Sequence, residues 1–256
     1  MRALKYGRLA TRGDGSGNNG IKWAEAAKQL LFPRRCPVCD GIVTPQGEKI
    51  CFGCLKKLRP VAAPWCMICG KGLAAEGTLC EDCRKGRMHA YRRARALYDY
   101  PSIAPSVYRF KYGGRREYKD FFGEEMARYL GEFIRVTGAE GLIPVPLHPK
   151  RMRKRGYNQA AELAKVLGRK LGLPVYENIL FRVKNTAPLK EQNYKERQNN
   201  LKKAFLVRKN DVKLKTIILI DDIYTTGTTA DEAAMALMEG GVENVYVVAL
   251  AGSMEG

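Results

Sequence analysis

The chain has 256 residues, 45% of them hydrophobic, with 45 Lys+Arg against 26 Asp+Glu and a formal net charge of +19. That length suits one large domain or a medium and a small one, and the charge implies attraction to polyanions: nucleic acid, phosphorylated ligands or anionic membrane. No apolar run is long enough to span a bilayer, and the basic opening MRALKYGRLATRGDGSGNNG lacks the apolar core of a signal peptide, so the expected location is the cytoplasm.

In chain order, residues 1–30 are expected to form a basic mobile arm and a short amphipathic helix. Within IKWAEAAKQLLF, the residues Ile21, Ala24, Ala27 and Leu31 share one face. All eight cysteines follow, as four Cys-x-x-Cys pairs: Cys36/Cys39, Cys51/Cys54, Cys66/Cys69 and Cys80/Cys83. CPVCDG is echoed by CMICGK. Two thiolates at this spacing sit on one tight turn, and two such turns complete a tetrahedral four-sulfur site with no open position. The pattern points to two structural zinc ions; disulfides and an iron–sulfur cluster remain alternatives, the disulfides disfavoured by a cytoplasmic setting. Sequential pairing is favoured, and a crossed pairing stays open. Gly41 and Gly70 are expected to supply the positive φ that a knuckle turn needs. The ribbons are assigned to residues 31–88.

From residue 89 to 256 apolar strands alternate with amphipathic helices. RALYDY, LIPVPL, TIILI and VENVYVVALA read as strands. SIAPSVYRFKY reads as a helix with Ile103, Val107 and Phe110 inward. DFFGEEMARYLGEFIRV carries Phe122, Met126, Leu130 and Phe133 on one stripe. YNQAAELAKVLGRKLG buries Leu163, Val166, Leu167 and Leu171 and stops at Gly172. TADEAAMALMEGG buries Ala233, Ala234, Leu237 and Met238. This alternation predicts a parallel sheet with flanking helices, in which ligands bind outside the carboxyl ends of the strands. Two chemically dense segments fall there: PLHPKRMRKRGYNQ and DDIYTTGTT.

The second is acidic and hydroxyl-rich inside a basic chain. From Ile217 to Gly256 there are seven acids and no Lys or Arg, whereas Lys150 to Arg155 carries five cations. A loop entering a helix N-terminus presents unpaired N–H groups to an anion. Gly227 allows close backbone approach, and Thr225, Thr226, Thr228 and Thr229 offer hydroxyls. Asp221 and Asp222 suit sugar hydroxyls or Mg2+. Together they suggest a ribose phosphate. A Walker-type loop is excluded, because the lysine is missing.

ILIDDIYTTGTT resembles the phosphoribosyl-pyrophosphate (PRPP) binding motif of type I phosphoribosyltransferases. The order CPVC, CFGC, CMIC, CEDC, then IPVPLHPKRMRKRGYNQAAELA, then this motif, resembles the ComF family (ComFC/GntX-like), from about Leu31 to the C-terminus. The resemblance implies an α/β, type I phosphoribosyltransferase-like parallel sheet with flanking helices, preceded by a small four-cysteine double zinc-ribbon domain. It implies a link to natural competence, the uptake of transforming DNA, beside a helicase-like partner. By it, Asp221 and Asp222 are the catalytic positions, facing the ribose hydroxyls and Mg2+. Thr225, Thr226, Gly227, Thr228 and Thr229 cradle the 5′-phosphate, and Arg155 faces pyrophosphate in a field to which Lys150 contributes. Residues 184–205 form a hood in which Arg197 and Asn200 match the family spacing, while Leu189 and Asn193 depart from it. Lys111, in FKYGG, is either a site residue or an ordinary surface lysine.

The function expected from this is a cytoplasmic, competence-associated protein that binds PRPP with Mg2+ and takes part in DNA uptake. Its basic surfaces would contact single-stranded DNA, aided by tyrosines such as Tyr91, Tyr98, Tyr108, Tyr112 and Tyr157, or a helicase partner. Two alternatives remain: an active phosphoribosyltransferase with an unknown acceptor, and an adaptor regulated by PRPP.

Overall fold

The computed structural model describes residues 33–184, 204–207 and 213–254. The expected helix at 21–32 and the hood positions Leu189, Asn193, Arg197 and Asn200 lie outside the described residues. Arg35–Gly256 cluster as one compact unit. No helix among the described residues is long and apolar enough to cross a membrane.

Two ribbons come first and repeat each other closely. In each, the N–H of the residue after the second cysteine bonds back to the first cysteine's carbonyl, Asp40 to Cys36 at 2.9 Å and Gly70 to Cys66 at 3.0 Å. A bridge closes each knuckle, Arg35 with Ile42 and Trp65 with Gly72. The second cysteine pair of each ribbon opens on a single helical turn, α1 (Phe52–Leu55) and α2 (Glu81–Arg84). Gly70 has the expected positive φ of 71°, but Gly41 does not: its counterpart is Asp40, at φ 60°. The left-handed residue is the one directly after the cysteine pair, and Asp tolerates that conformation better than most side chains.

The body is a four-stranded parallel sheet in the order β1 (Arg93–Asp99), β6 (Asn244–Gly252), β5 (Thr216–Tyr224), β2 (Gly141–Pro144). Near-continuous apolar runs such as IILI are what a sheet covered on both faces requires. Along β5, Ile218 and Ile220 join one core while Ile217 and Leu219 join the other. The first core is made with α3 (Tyr100–Tyr112), α4 (Tyr118–Val136), α6 (Gln159–Leu171) and the first ribbon. The second is made with α7 (Thr228–Glu239), the antiparallel pair β3 (Leu180–Arg182) and β4 (Phe205–Val207), and the second ribbon. The ribbons therefore straddle β1. The linker between them bonds to this edge strand, Val61 N–H to Leu97 at 2.8 Å and Asp99 N–H to Arg59 at 3.1 Å, so the edge is not left open to pairing with another chain.

Helix positions follow the apolar periodicity, with instructive exceptions. Phe133 and Leu171 are only partly buried, Ile134 takes the inner position at the end of α4, and Met238 is 45% exposed. Each lies near a helix end, and Phe133 still meets the sheet through Tyr246 and Arg95. Two features have no clear periodic signal and were not expected: the β3–β4 pair, and α5 (Pro149–Arg155), a helix made almost wholly of cations.

Candidate functional site

The cysteines assemble sequentially. Cys36, Cys39, Cys51 and Cys54 form one cluster and Cys66, Cys69, Cys80 and Cys83 the other, the sulfurs of each lying within 4.8 Å of one another. Zinc with Zn–S near 2.3 Å asks for sulfurs about 3.8 Å apart; Cys39–Cys51 at 4.0 Å and Cys69–Cys80 at 3.5 Å fit. All eight cysteines are free thiols. The donor set is four sulfurs in each case, so the two sites fit two structural zinc ions. The clusters differ in setting: Cys39 is exposed, whereas all four cysteines of the second site are buried. At Cys66 burial opposes the thiolate, yet the N–H groups of Cys80, Cys69 and Ile68 bring its pKa down to about 6, favouring the form that binds metal.

Both dense segments reach the carboxyl ends of β2 and β5. β5 runs on through DDIY, so Asp221 and Asp222 belong to the strand rather than to a loop. Asp222 is buried and pairs with Lys111 Nζ at 2.8 Å. Lys111 is thus drawn into the site by the C-terminal turn of α3. Asp221 accepts the Asp222 N–H at 2.8 Å. Burial and the adjacent Asp222 carboxylate push the Asp221 carboxyl up to about 7, against the pull of Lys111 and Arg182.

Arg182, on β3, is a residue that the sequence reading missed. It is buried with its guanidinium over the Phe205 ring, 5.3 Å from the centroid. Burial, then Arg151, lowers its pKa to about 10, while Asp221 opposes the shift. Burial and Arg155 also lower Arg151. Three arginines from two elements, β3 and α5, thus crowd the ground facing the carboxylates. On α5 it is Arg151 and Arg155, one turn apart, that turn inward; Lys150, Arg153 and Lys154 are exposed. Arg155 donates to Tyr112 Oη at 2.8 Å and to Gln159 Oε1 at 3.0 Å.

Sequence reasoning treated RGYNQ and FKYGG as separate segments; the structure locks them together. Tyr157 Oη and the Gln159 amide both donate to the Phe110 carbonyl, and Asn158 caps α6 while donating to Val145 O at 2.9 Å. Three side chains of one motif, Arg155, Tyr157 and Gln159, therefore hold the end of α3, and with it Lys111 and Tyr112, while Asn158 ties the motif to the end of β2. Tyr91, Tyr98 and Tyr157 are core residues, not surface aromatics; Tyr108 and Tyr112 are 62% and 52% exposed, with ring centroids 5.1 Å apart.

On the other side of Asp221 and Asp222 lies the threonine loop. Gly227 is the N-cap of α7 at φ 75°, and no side chain caps the helix. A Cβ there would stand 2.8 Å from Tyr224 Oη and 2.9 Å from Tyr91 Oη, so glycine is required by both conformation and space. Thr226 and Thr228 hydroxyls lie 2.9 Å apart, and Ser253 Oγ donates to the Thr225 carbonyl at 3.2 Å. The residues after the last cysteine back this loop: Arg87 donates to the Thr226 carbonyl, and His89 faces Asp231 on α7 at 3.1 Å. Neither His89 nor Asp231 was singled out in the sequence. Arg197 lies outside the described residues.

Comparison with known proteins accords with this arrangement. Residues 27–84 match the family model described as a Double zinc ribbon domain. Competence protein F of Haemophilus influenzae is 32% identical over 232 residues, 86% of this chain and 98% of that protein. Competence protein ComFC of Bacillus subtilis is 32% identical over 203 residues, covering 76% of this chain and 80% of its own. DNA utilization protein YhgH of Escherichia coli K12 is 26% identical over 199 residues, covering 71% and 87%. Among solved structures, adenine phosphoribosyltransferase from Leishmania tarentolae matches at 14% identity and a TM-score of 0.33, over 63% of this chain and 78% of that one, too distant a likeness to argue from. With identity above 30% across nearly the full length of Competence protein F, and both four-cysteine clusters formed, this chain belongs to the ComF family.

Proposed function

We propose that this protein binds PRPP with Mg2+ at the carboxyl ends of β2 and β5 and takes part in DNA uptake in the cytoplasm. In this reading residues 31–88 form the ribbon domain and residues 89–256 a phosphoribosyltransferase-like domain, with 1–30 as an arm. The observation that carries it is the polarity of the site. Asp221 and Asp222 stand between an uncapped helix start with four threonines on one side and Lys111, Arg151, Arg155 and Arg182 on the other. A ribose 5-phosphate bearing pyrophosphate has that order of groups: monophosphate, diol, diphosphate. Thr225, Thr226, Gly227, Thr228 and Thr229 would take the monophosphate by N–H and hydroxyl groups. Asp221 and Asp222 would take the diol and Mg2+, the cation relieving the repulsion that raises Asp221. Arg155, with Lys150 and Arg197 contributing, would take the diphosphate.

The role in DNA uptake is supported by the family relatives, whose names record competence and DNA utilization. α5, which carries the exposed Lys150, Arg153 and Lys154, is tied through Arg155 to Tyr112 of the exposed Tyr108/Tyr112 pair, and a surface of cations and aromatic faces suits single-stranded DNA. A helicase-like partner is the other occupant that the family resemblance suggests for this surface. A second reading is favoured by Asp221 itself. A carboxyl near pH 7 is poised for proton transfer, as an active phosphoribosyltransferase would use.

Calorimetry of PRPP with and without Mg2+, on the wild type and on Asp222→Asn, tests the site. Mg2+-dependent binding that the variant loses is expected; wild-type protein with two zinc ions and no PRPP affinity would overturn the reading. Pyrophosphate release on adding candidate acceptors then separates an enzyme from a binding protein. Affinity for single-stranded DNA that falls steeply with salt is expected if phosphate contacts carry it.

A further inference from the structure

The second cysteine site and the threonine loop touch through an unbroken set of side chains. Immediately after Cys83, alternate residues Arg87, His89 and Tyr91 all turn toward the loop. Arg87 donates to the Thr226 carbonyl. His89 stands between the two features, its Nε2 4.0 Å from Cys83 Sγ and its Nδ1 3.1 Å from Asp231 Oδ2. Asp231 also accepts the Ala90 N–H at 3.0 Å, and its own N–H bonds to the Gly227 carbonyl at 2.8 Å. Tyr91 stacks on His89, centroids 4.7 Å apart, and its hydroxyl meets that of Tyr224 where Gly227 presses on both. The void left between these groups, bounded by Cys69, Cys83, Arg87, His89 and Thr226, is about 10 Å³, room for one water at most. The loop cannot shift far without moving the segment that leaves Cys83.

We propose that the second cysteine site is a positioning element for the threonine loop, so that metal at Cys66, Cys69, Cys80 and Cys83 and phosphate at residues 225–229 bind cooperatively. Metal draws four sulfurs into one tetrahedron and so fixes where α2 ends and the 87–91 segment begins. That segment sets the Thr226 carbonyl and the first turn of α7, whose N–H groups meet the anion. Coupling of this kind is reciprocal: the ligand must tighten the metal by the factor by which the metal tightens the ligand. The first site provides the internal control, because among the described residues its contacts run to α3 and α4 rather than to the loop. The phosphate half of the proposal rests on the PRPP reading above; the mechanical half does not.

The test uses the full chain carrying both zinc ions. Release of zinc into a chromophoric chelator is followed with and without PRPP·Mg2+. Alkylation and mass spectrometry report which four cysteines have opened. Release from the second site is expected to slow on the order of 5- to 10-fold with ligand, and release from the first to change less than about 2-fold. Hydrogen exchange supplies the arm that needs no ligand. His89→Gln, retaining two zinc ions, is expected to speed exchange at residues 225–231 about 10-fold and to leave residues 109–112 unchanged. Asp231→Asn, which cuts the same link from the other end, should do likewise, and serves if His89→Gln fails to fold. If PRPP does not bind but exchange still rises, the phosphate reading fails and the mechanical coupling stands. If PRPP binds, yet both sites release zinc at unaltered rates and exchange in the folded variant stays at wild-type values, the proposal is overturned.

Discussion

The two ribbons share a repeat, a ligand set and a knuckle geometry, yet they are built into the molecule differently. The first keeps Cys39 at the surface and is held through its knuckle: Arg115 and Tyr118 both bond to the Asp40 carboxylate at 2.7 Å, and Arg109 donates to the Val38 carbonyl at 2.7 Å. The second buries all four cysteines, lays its backbone on β1 and backs the threonine loop. The first ribbon thus rests on α3 and the start of α4; the second backs the start of α7, where the threonine loop lies. Identical thiolate chemistry has different consequences because burial decides how much of the fold depends on the metal.

The largest expected effect comes from removing one ligand from each. Cys83→Ser should lose one zinc ion and several kcal/mol of stability, with the threonine loop disturbed. Cys39→Ser should also lose one zinc ion but cost markedly less, its sulfur being solvent-exposed already. Metal content by mass spectrometry and thermal melting decide this, and equal losses would erase the distinction between the ribbons.

Next come the knuckle turns. A Cβ on Gly70 would lie 2.3 Å from the Ala94 carbonyl oxygen at a positive φ, so Gly70→Ala should cost about 3 kcal/mol or more. Gly41→Ala meets only Cys39 Sγ at 3.5 Å and should cost less than about 1 kcal/mol. Denaturant melts of the pair would show whether the second ribbon is the one pressed against the sheet.

Two carboxylates should respond to pH with opposite sign. Hydrogen bonds from Arg115, opposed by burial and reinforced by Tyr118, hold Asp40 below the usual carboxylate range. Its contribution is present above the unfolded value near pH 4 and is lost as pH falls through the lowered folded pKa. Asp40→Ala should therefore cost about 1–2 kcal/mol at pH 7 and progressively less as pH falls below about 4. Asp221 is raised to about 7, so its stabilising contribution is complete below about pH 4 and is lost as pH rises through 7. Asp221→Asn should thus raise stability by about 2–3 kcal/mol at pH 8 and leave it near wild type at pH 4. Melts across pH in both variants check the signs; a stabilised Asp40→Ala or a destabilised Asp221→Asn at pH 8 would reverse the assignment.

A small effect is expected of Tyr118→Phe. It removes one hydrogen bond to Asp40 while leaving Arg115 in place, at a cost of about 0.5–1.5 kcal/mol. A larger loss would mean that the first ribbon depends on this contact more than on the guanidinium.

By itself the sequence determined what is local. Cys-x-x-Cys spacing made the knuckles, apolar runs and 3.6-residue stripes made the strands and helices, and DDIYTTGTT marked a loop joining a strand end to a helix N-terminus. Each is set by residues within a few turns of one another. The tertiary structure decided the rest. It chose sequential cysteine pairing, put Asp40 rather than Gly41 in the left-handed position, and turned Arg151 and Arg155 inward instead of Lys150. It drew Lys111 onto Asp222, brought Arg182 toward Asp221, and joined His89 to Asp231 across 142 residues of chain. Such contacts leave no periodic trace, because they depend on strand order. β1 and β5 both pair with β6 in parallel, which leaves the start of β1 level with Ile218, and the segment after the last cysteine runs beside α7 to meet the loop that β5 delivers.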